Sequence, residues 1–180
     1  QLFDVAGTAS IFSCCVDRYA PDVTNKTLLY ARSVVPDRWI PMAYINGGGM
    51  CLKWFRDNFT AEQDYRQLDL EASEREPGSG DLIFLPHFSG RVAPNDPYVR
   101  GTWIGLTWSH TRGHLYRSIM EGIGYEYKLY FNIIKELMGD YKFSDVRVIG
   151  GGAKSAVFNS IKASILGQRY AALAVKDAAS

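Results

Sequence analysis

Residues 146–155, Val-Arg-Val-Ile-Gly-Gly-Gly-Ala-Lys-Ser, decide the fold of this chain. Three aliphatic residues among Val146 to Ile149 lead into three glycines, and an amphipathic run follows from Ser155 to Leu166. This order predicts a strand, a tight turn and a helix. Glycine lacks a Cβ, so its backbone can adopt positive φ and come close to a flat or anionic ligand. The N-terminus of the following helix carries free N–H groups and a partial positive charge, which suit phosphate.

This motif alone leaves two interpretations open. The glycines could border a nucleotide, or they could only allow a strand and a helix to pack closely. The stretch is neither Gly-x-Gly-x-x-Gly nor a phosphate loop of the Gly-Lys-Ser/Thr type, so it predicts neither a Rossmann fold nor a P-loop fold.

The composition is that of an ordinary soluble globular protein, with 47% hydrophobic and 22% charged residues. A length of 180 residues is enough for one well-packed domain. A net charge of +1 gives no electrostatic reason to expect nucleic acid or an anionic membrane as a partner. No stretch approaches the roughly 18 apolar residues that a bilayer-spanning helix needs.

The three cysteines, Cys14, Cys15 and Cys51, match no disulfide or zinc-binding pattern. Their number is odd and no Cys-x-x-Cys spacing occurs, which is typical of the reducing cytosol, so we expect a cytoplasmic protein. At least one of the neighbours Cys14 and Cys15 should be a small core residue. The chain starts at Gln1 within an apolar run and stops in the segment 176–180, which resembles the start of a helix, so we expect a piece of a longer protein.

Apolar runs bounded by Gly, Pro, Asp or Asn predict short strands at 2–5, 11–16, 39–45, 82–85, 146–149 and 170–175. Helical periodicity predicts helices after residue 49, at about 111–137 and from residue 155. Gly122 and Gly124 lie in the longest of them, which indicates that a neighbouring element packs closely against it. The charged segment 62–76 is predicted as surface helix or loop, and 89–100 as loop. Strands alternating with helices indicate a layered α/β domain, for which a doubly wound sheet is one arrangement.

Gly101-Thr-Trp-Ile-Gly-Leu106 is followed, after seven further residues, by His114-Leu-Tyr-Arg-Ser-Ile-Met-Glu121. This pattern resembles a signature of the FGGY family of carbohydrate kinases. Gly7-Thr-Ala-Ser10 resembles the Gly-Thr-Ser phosphate loop that opens the C-terminal domain of that family, and 150–155 resembles its adenosine loop. Two more segments are similar to the xylulose kinase branch: 46–57 and 84–91. The resemblance runs in order through nearly the whole chain.

The resemblance implies an α/β domain with the actin-like ATPase (ribonuclease-H-like) fold, a mixed sheet with flanking helices. Residues 1–180 would form a single domain, the C-terminal nucleotide-binding domain of a two-domain kinase. The N-terminal domain, which would bind the sugar, is absent from these residues. The implied cofactor is ATP with Mg²⁺, the metal being held beside the phosphates mainly by the N-terminal domain. The implied partners are that domain and a sugar substrate, with a homodimer as a further option.

The same resemblance assigns an ATP site to Gly7, Thr8, Ala9, Gly49, Lys53, Gly151, Gly152, Ala153 and Ala156. The segment 7–9 would present backbone N–H groups and the Thr8 hydroxyl to the β- and γ-phosphates. Gly49 would let the following helix approach the nucleotide, with Lys53 one turn later on the same face. The segment 151–153 would border the adenosine. The alternatives are a turn hydroxyl bonded to its own backbone for Thr8 and a solvated helix lysine for Lys53.

We assign no catalytic residue and no metal ligand within this chain. In the family the aspartate base belongs to the N-terminal domain. Asp17, Asp81 and Asp96 have the strand-end or loop setting of solvated or capping carboxylates. His110 and His114 are four residues apart, but the glutamate of a His-Glu-x-x-His zinc motif is missing between them.

The predicted function is transfer of the γ-phosphoryl group of ATP to a sugar hydroxyl, on a ketopentose such as xylulose. The alternative is an actin-like nucleotide-binding module with a regulatory or assembly role. Ala9 stands where the family has serine, so a hydroxyl is lost there or displaced to Ser10. Phe158, Asn159 and Ser164 stand where Trp, Gln and Asp are common. These departures leave the substrate open.

The aromatic residues Phe88, Trp103 and Trp108 flank the predicted 89–100 loop. We expect them to be exposed where the N-terminal domain would close on this one, so that the isolated chain self-associates. Ordinary core packing of these side chains is the alternative. We also expect the isolated chain to fold, to bind ATP weakly and not to phosphorylate sugars, because the positioning of both substrates accounts for most of phosphoryl-transfer catalysis.

Overall fold

The computed structural model describes residues 1–60 and 64–173 of the chain. The strands are β1 (Leu2–Ala6), β2 (Ser10–Cys14), β3 (Leu29–Arg32), β4 (Trp39–Ile45), β5 (Ile83–Leu85), β6 (Thr102–Ile104), β7 (Val146–Ile149) and β8 (Tyr170–Ala172). The helices are α1 (Gly48–Phe59), α2 (Tyr65–Ser73), α3 (Arg112–Met138) and α4 (Ala156–Leu166), and a 3₁₀ turn covers Gly151–Lys154. The predictions for 62–63 and 174–180 lie outside the described residues.

A six-stranded mixed sheet in the order β3-β4-β2-β1-β7-β8 forms the centre of the fold. β2 is antiparallel to its neighbours β1 and β4, whereas β1, β7 and β8 are parallel. β4, β1, β7 and β8 therefore all end at the same edge of the sheet. In open α/β sheets the crevice outside the carboxyl ends of the strands is the usual place for a ligand.

The sheet buries one face more completely than the other. In β1 the residues Leu2, Asp4 and Ala6 are buried, whereas Phe3 and Val5 between them are partly exposed. This alternation follows from the two-residue period of a strand, which turns successive side chains to opposite faces. The buried face is the one that the helices cover.

Helix α3 is the central element of the helical layer. The rings of Tyr127 and Phe131 pack against Phe12 of β2, with centroids 5.1 and 6.1 Å from its ring. α3 has 27 residues, but among the described residues no helix is both long and apolar enough to cross a membrane. Its length instead serves contacts with α1, α2, α4 and β5.

Two glycines of α3 permit close packing, as the sequence predicts. A Cβ on Gly122 would overlap the carbonyl oxygen of Phe84 in β5. A Cβ on Gly124 would lie 2.6 Å from Cδ1 of Ile165 in α4. The first neighbour is backbone and cannot move without moving β5, whereas the second is the flexible end of a side chain.

Two observed strands, β3 and β6, have no counterpart in the sequence prediction. β3 lies at the edge of the sheet, where its side chains are exposed or half-buried and show no alternation. β6 has three residues and pairs with β5 in a separate two-stranded sheet.

β2 starts one residue earlier and ends two residues earlier than predicted. The helical alternative is correct for the described part of 62–76, because Leu68 and Ala72 anchor α2 in the core.

Phe88 and Trp103 belong to an aromatic cluster, so the prediction that they are exposed is wrong for both. The ring of Trp103 lies 4.7 Å from that of Phe84, and the ring of Phe88 lies 4.7 Å from that of Trp54. Trp108 alone of the three is fully exposed. Self-association of the chain stays a prediction that now depends on Trp108 and its surroundings.

The cysteines behave as small core residues. Cys14 and Cys51 are buried, and burial raises the pKa of each thiol to about 12. The prediction that at least one of Cys14 and Cys15 lies in the core is confirmed.

We expect Gly122→Ala to lower the free energy of unfolding by about 1–3 kcal/mol, because the methyl group overlaps the Phe84 backbone. Gly124→Ala is the matched control in the same helix. There the gain in helix propensity, about 1 kcal/mol, offsets the adjustment of Ile165, so we expect little change. Urea unfolding of both variants measures the difference. Equal effects of the two substitutions would contradict the close packing of Gly122 on β5.

Candidate functional site

Three glycine-containing turns meet at the carboxyl end of β1. We name them the central turn (7–9, between β1 and β2), the α1 turn (47–49, the N-cap and first two residues of α1) and the β7 turn (150–155, between β7 and α4). The strand order brings them together, since β1 lies beside β7 and is separated from β4 only by β2. The central turn lies between the other two and contacts both.

The α1 turn packs directly on the central turn. A Cβ on Gly49 would overlap the carbonyl oxygen of Gly7, so a larger residue would have to displace backbone. The N–H of Met50 donates a hydrogen bond of 3.1 Å to the carbonyl oxygen of Thr8. Gly47 has a φ of 86°, which favours glycine and turns the chain sharply from β4 into α1. The N-terminus of α1 is therefore held against the central turn.

The β7 turn contacts the central turn from the other side. A Cβ on Gly150, whose φ is 89°, would lie 2.7 Å from the carbonyl oxygen of Ala6 and 3.3 Å from the nitrogen of Gly7. A Cβ on Gly152 would lie 2.8 Å from Cβ of Ala6. A Cβ on Gly151 would meet no described atom within 4 Å. Gly150 and Gly152 therefore permit packing, whereas Gly151 faces open space.

Hydrogen bonds within the β7 turn hold its shape. The Ser155 hydroxyl caps α4 by accepting from the N–H of Phe158 at 3.0 Å. The Asn159 amide donates to the carbonyl oxygen of Ala153 at 2.9 Å, and the N–H of Ala153 donates to that of Gly150 at 3.1 Å. Asn159, a departure from the family pattern, is thus a support of the turn.

The central turn presents its outer side to solvent. Thr8 is exposed, and Gly7 and Ala9 are half-buried. Ser10 does not replace the hydroxyl that Ala9 lacks, because Ser10 is 1% exposed and its Oγ lies where a Cβ on Gly48 would fall. On this turn the side-chain hydroxyl open to solvent is that of Thr8.

The remaining predicted residues have neighbours that the sequence does not reveal. Gly49 faces Gly7 rather than open space, so it admits α1 to the central turn. The ammonium group of Lys53 is exposed and forms an ion pair with Asp57, one turn further from Gly49. The Asp57 carboxylate accepts hydrogen bonds from Lys53 and Arg56, which lower its pKa. In this conformation Lys53 points along α1, away from the central turn.

Ala156 lines a groove of about 480 Å³ between α3, α4 and the segment that precedes β5. The wall on α3 contains Arg117 and Glu121, and α4 contributes Val157 and Ile161. The groove starts where the β7 turn ends. It extends the candidate site along α4.

A buried ion pair that sequence reasoning missed shapes this groove. Glu121 accepts hydrogen bonds from Arg117 Nε at 2.7 Å, from the Ser79 hydroxyl at 2.8 Å and from the N–H of Gly78 at 3.0 Å. Arg117 also donates to the carbonyl oxygen of Ala72 at 3.1 Å. These bonds tie the 72–79 segment to α3. The signal in the sequence is an Arg and a Glu four residues apart within a helix that is otherwise apolar.

The aspartates that sequence reasoning set aside as bases lie in surface or turn positions. Asp17 lies 3.5 Å from Arg38 in a surface ion pair, and Asp96 accepts a hydrogen bond of 2.9 Å from the N–H of Tyr98. Asp81 has a φ of 66° in the turn before β5.

His110, which precedes α3, and His114, in its first turn, also serve local structure. Nδ1 of His110 accepts from the N–H of Thr107 at 2.9 Å, and Nδ1 of His114 accepts from the N–H of Thr111 at 3.1 Å. His114 thereby forms part of the cap of α3. Among residues 1–60 and 64–173 no group of three or more His, Cys, Asp or Glu side chains is arranged to hold a metal ion.

A model of the C-terminal domain of the FGGY family of carbohydrate kinases matches residues 4–180. The chain belongs to this family. It is 29% identical over 170 residues to a gluconokinase from Bacillus subtilis, covering 88% of this chain and 33% of that protein. It is 30% identical over 132 residues to a xylulose kinase from Staphylococcus epidermidis, covering 73% of this chain and 26% of that protein. The crystal structure of xylulose kinase from Rhodospirillum rubrum matches with a TM-score of 0.83 and 26% identity, over 96% of this chain and 34% of that one.

These similarities confirm the predicted family and the actin-like ATPase fold. The chain spans about a third of the length of the relatives it matches. Because the relatives include a gluconokinase as well as xylulose kinases, the family is shown at the level of carbohydrate kinases and not of one sugar.

The geometry of the turns fits ATP. A nucleotide needs backbone donors for its phosphates and a wall without side chains for its flat base and ribose. The open side of the central turn offers the first, and Gly151 with its empty Cβ position offers the second. The central turn also lies beside the N-terminus of α1, whose partial positive charge favours an anion.

We expect Gly49→Ala to lower the free energy of unfolding by about 1–3 kcal/mol, because the methyl group would displace the central turn. Gly151→Ala is the control, since its Cβ meets open space, and should change the free energy by no more than about 0.5 kcal/mol. Denaturant unfolding followed by tryptophan fluorescence compares the two. Equal free energies of unfolding for the two variants would show that Gly49 is not in tight contact with the central turn.

Proposed function

We propose that this chain is the ATP-binding half of a carbohydrate kinase that transfers the γ-phosphoryl group of ATP to a sugar hydroxyl. The observation that carries the proposal is the meeting of three glycine turns at one edge of the sheet, beside the N-terminus of α1. Membership of a carbohydrate kinase family supports the reaction class. Residues 1–180 act as its C-terminal nucleotide-binding domain, and a second domain supplies the sugar pocket and the base.

The residues of this chain bind and orient the nucleotide. The central turn donates N–H groups and the Thr8 hydroxyl to the phosphates, while the β7 turn borders the adenosine at Gly151 and Ala153. Ala156 leaves room at the start of the groove along α4. MgATP supplies the phosphoryl group and neutralises part of its charge. Holding the phosphates in one orientation lowers the entropic part of the barrier to in-line transfer.

The proposed substrate is a ketopentose such as xylulose. Relatives named xylulose kinase, over 73% of this chain, support it, and the relative named gluconokinase makes gluconate the main competitor. The test uses the complete gene product with MgATP and a panel of D-xylulose, D-gluconate and glycerol, with ADP release as the readout. We expect kcat/KM for D-xylulose to exceed that for D-gluconate by about tenfold or more. A higher kcat/KM for D-gluconate would show that gluconate is the substrate, and the proposed reaction would still hold.

The same assay separates the kinase from a nucleotide-binding module with a regulatory or assembly role. ADP binding measured by calorimetry, without sugar-dependent ADP release on any of the sugars, would favour the module. The isolated 180-residue chain should release no ADP in response to sugar and should bind ADP more weakly than the complete protein. Tight binding by the isolated chain would contradict a site shared between two domains.

A pair of neighbouring glycines tests the position of the adenosine. Gly151→Val directs its side chain into open space, so we expect an unchanged unfolding temperature and loss of ATP binding by about tenfold or more. Gly152→Val directs its side chain at Ala6, so we expect loss of stability by about 1–3 kcal/mol. Thermal unfolding and ADP calorimetry on the complete protein measure both. Undiminished ADP binding by Gly151→Val would show that the adenosine lies elsewhere.

A further inference from the structure

A lysine and an aspartate form an ion pair in the core directly beneath the candidate site. Nζ of Lys162 lies 2.5 Å from Oδ2 of Asp4, and both side chains are 0% exposed. The hydroxyl of Tyr127 donates to the other carboxylate oxygen, Oδ1, at 2.8 Å. The Lys162 ammonium also lies 4.0 Å from the ring centroid of Phe158. The charge pair is thus enclosed by β1, α3 and α4.

The pair joins the two elements that carry the central turn and the β7 turn. Asp4 lies on β1, whose end leads into the central turn, and it is paired in register with Val148 of β7, just before Gly150. Lys162 lies on α4, which begins at the end of the β7 turn. A displacement of α4 along β1 would therefore change two things at once: the distance between Lys162 and Asp4, and the distance between the central turn and the β7 turn.

Stability alone does not account for such a pair. Removing two charges from water is costly, and well-packed apolar residues of similar volume often stabilise a core equally well. Burial lowers the pKa of Lys162, while the neighbouring Asp4 carboxylate opposes that shift. An ion pair adds a directional constraint, because its hydrogen bonds form only at one relative position of β1 and α4. An apolar contact tolerates sliding.

We propose that Asp4 and Lys162 are positioning residues that set the spacing between the central turn and the β7 turn, and hence between the phosphate and adenosine ends of the nucleotide. This inference rests on the proposed function. Neither residue touches the nucleotide. The pair acts through β1 and α4, so its effect falls on ATP binding and not on recognition of the sugar.

The main test replaces the hydrogen-bonded group by apolar residues of similar size in the complete protein, with Asp4→Leu, Tyr127→Phe and Lys162→Met combined. Because the three side chains that hydrogen-bond to one another are replaced together, we expect an unfolding temperature within roughly 4 °C of the parent. We expect the KM for ATP to rise by about tenfold or more while the KM for the sugar stays within about twofold. An unchanged KM for ATP in this folded variant would overturn the proposal.

A second variant covers the case in which the triple variant does not fold. Asp4→Asn with Lys162→Gln keeps hydrogen bonding between the two side chains but removes both charges. We expect its KM for ATP to stay within about threefold of the parent, because the direction of the contact is kept. A large loss of ATP affinity at unchanged unfolding temperature would show that hydrogen-bond geometry does not set the spacing.

Two controls separate this inference from the proposed function. Glu71→Gln with Arg112→Gln removes an ion pair between α2 and α3 that joins neither turn, and should leave the KM for ATP within about twofold. The second control is calorimetry of ADP binding to the parent protein. A parent that does not bind ADP would overturn the proposed function itself. A parent and a triple variant that bind ADP equally would overturn the positioning role and leave the proposed function intact.

Discussion

The close approach of backbone to backbone at the end of β1 is the constraint on which the rest of the structure depends. Gly49 contacts Gly7, and Gly150 contacts Ala6, at distances where a Cβ would overlap or crowd backbone atoms. A clash with backbone cannot be relieved by a new rotamer, so these positions must be glycine for the turns to meet. The same rule acts in the core, where Gly122 of α3 lies against the backbone of β5.

The elements with a strong period could be predicted from the sequence. The long helix was expected at 111–137 and spans Arg112–Met138, and the strands at 39–45 and 146–149 are found at those residues. The positions of β3 and β6 could not be predicted from the sequence, because short or edge strands are defined by their partner strands rather than by their own residue pattern. The same limit applies to the site. Gly151 and Gly152 are alike in the sequence, and only the fold shows that one faces open space and the other Ala6.

The buried charges were missed although each carries a signal. Asp4 alternates with Leu2 and Ala6, which places it on the inward face of β1, and Lys162 lies four residues from both Phe158 and Leu166 on the buried stripe of α4. A single charge in an apolar stripe is usually taken to extend to solvent. Two opposite charges on the inward faces of neighbouring elements predict a pair, but the sequence does not state which elements are neighbours.

The proposed recognition of the nucleotide through backbone would explain how one domain serves kinases named for different sugars. N–H groups and empty Cβ positions respond to phosphate and to a flat base, and they carry no information about the sugar. Ala9 illustrates this, since Ser10 is turned inward beneath Gly48 and does not restore the hydroxyl that the alanine lacks. The shape of the central turn, fixed by its contacts with the α1 and β7 turns, is therefore retained without that side chain. On this proposal, the choice of sugar would depend on residues outside these three turns.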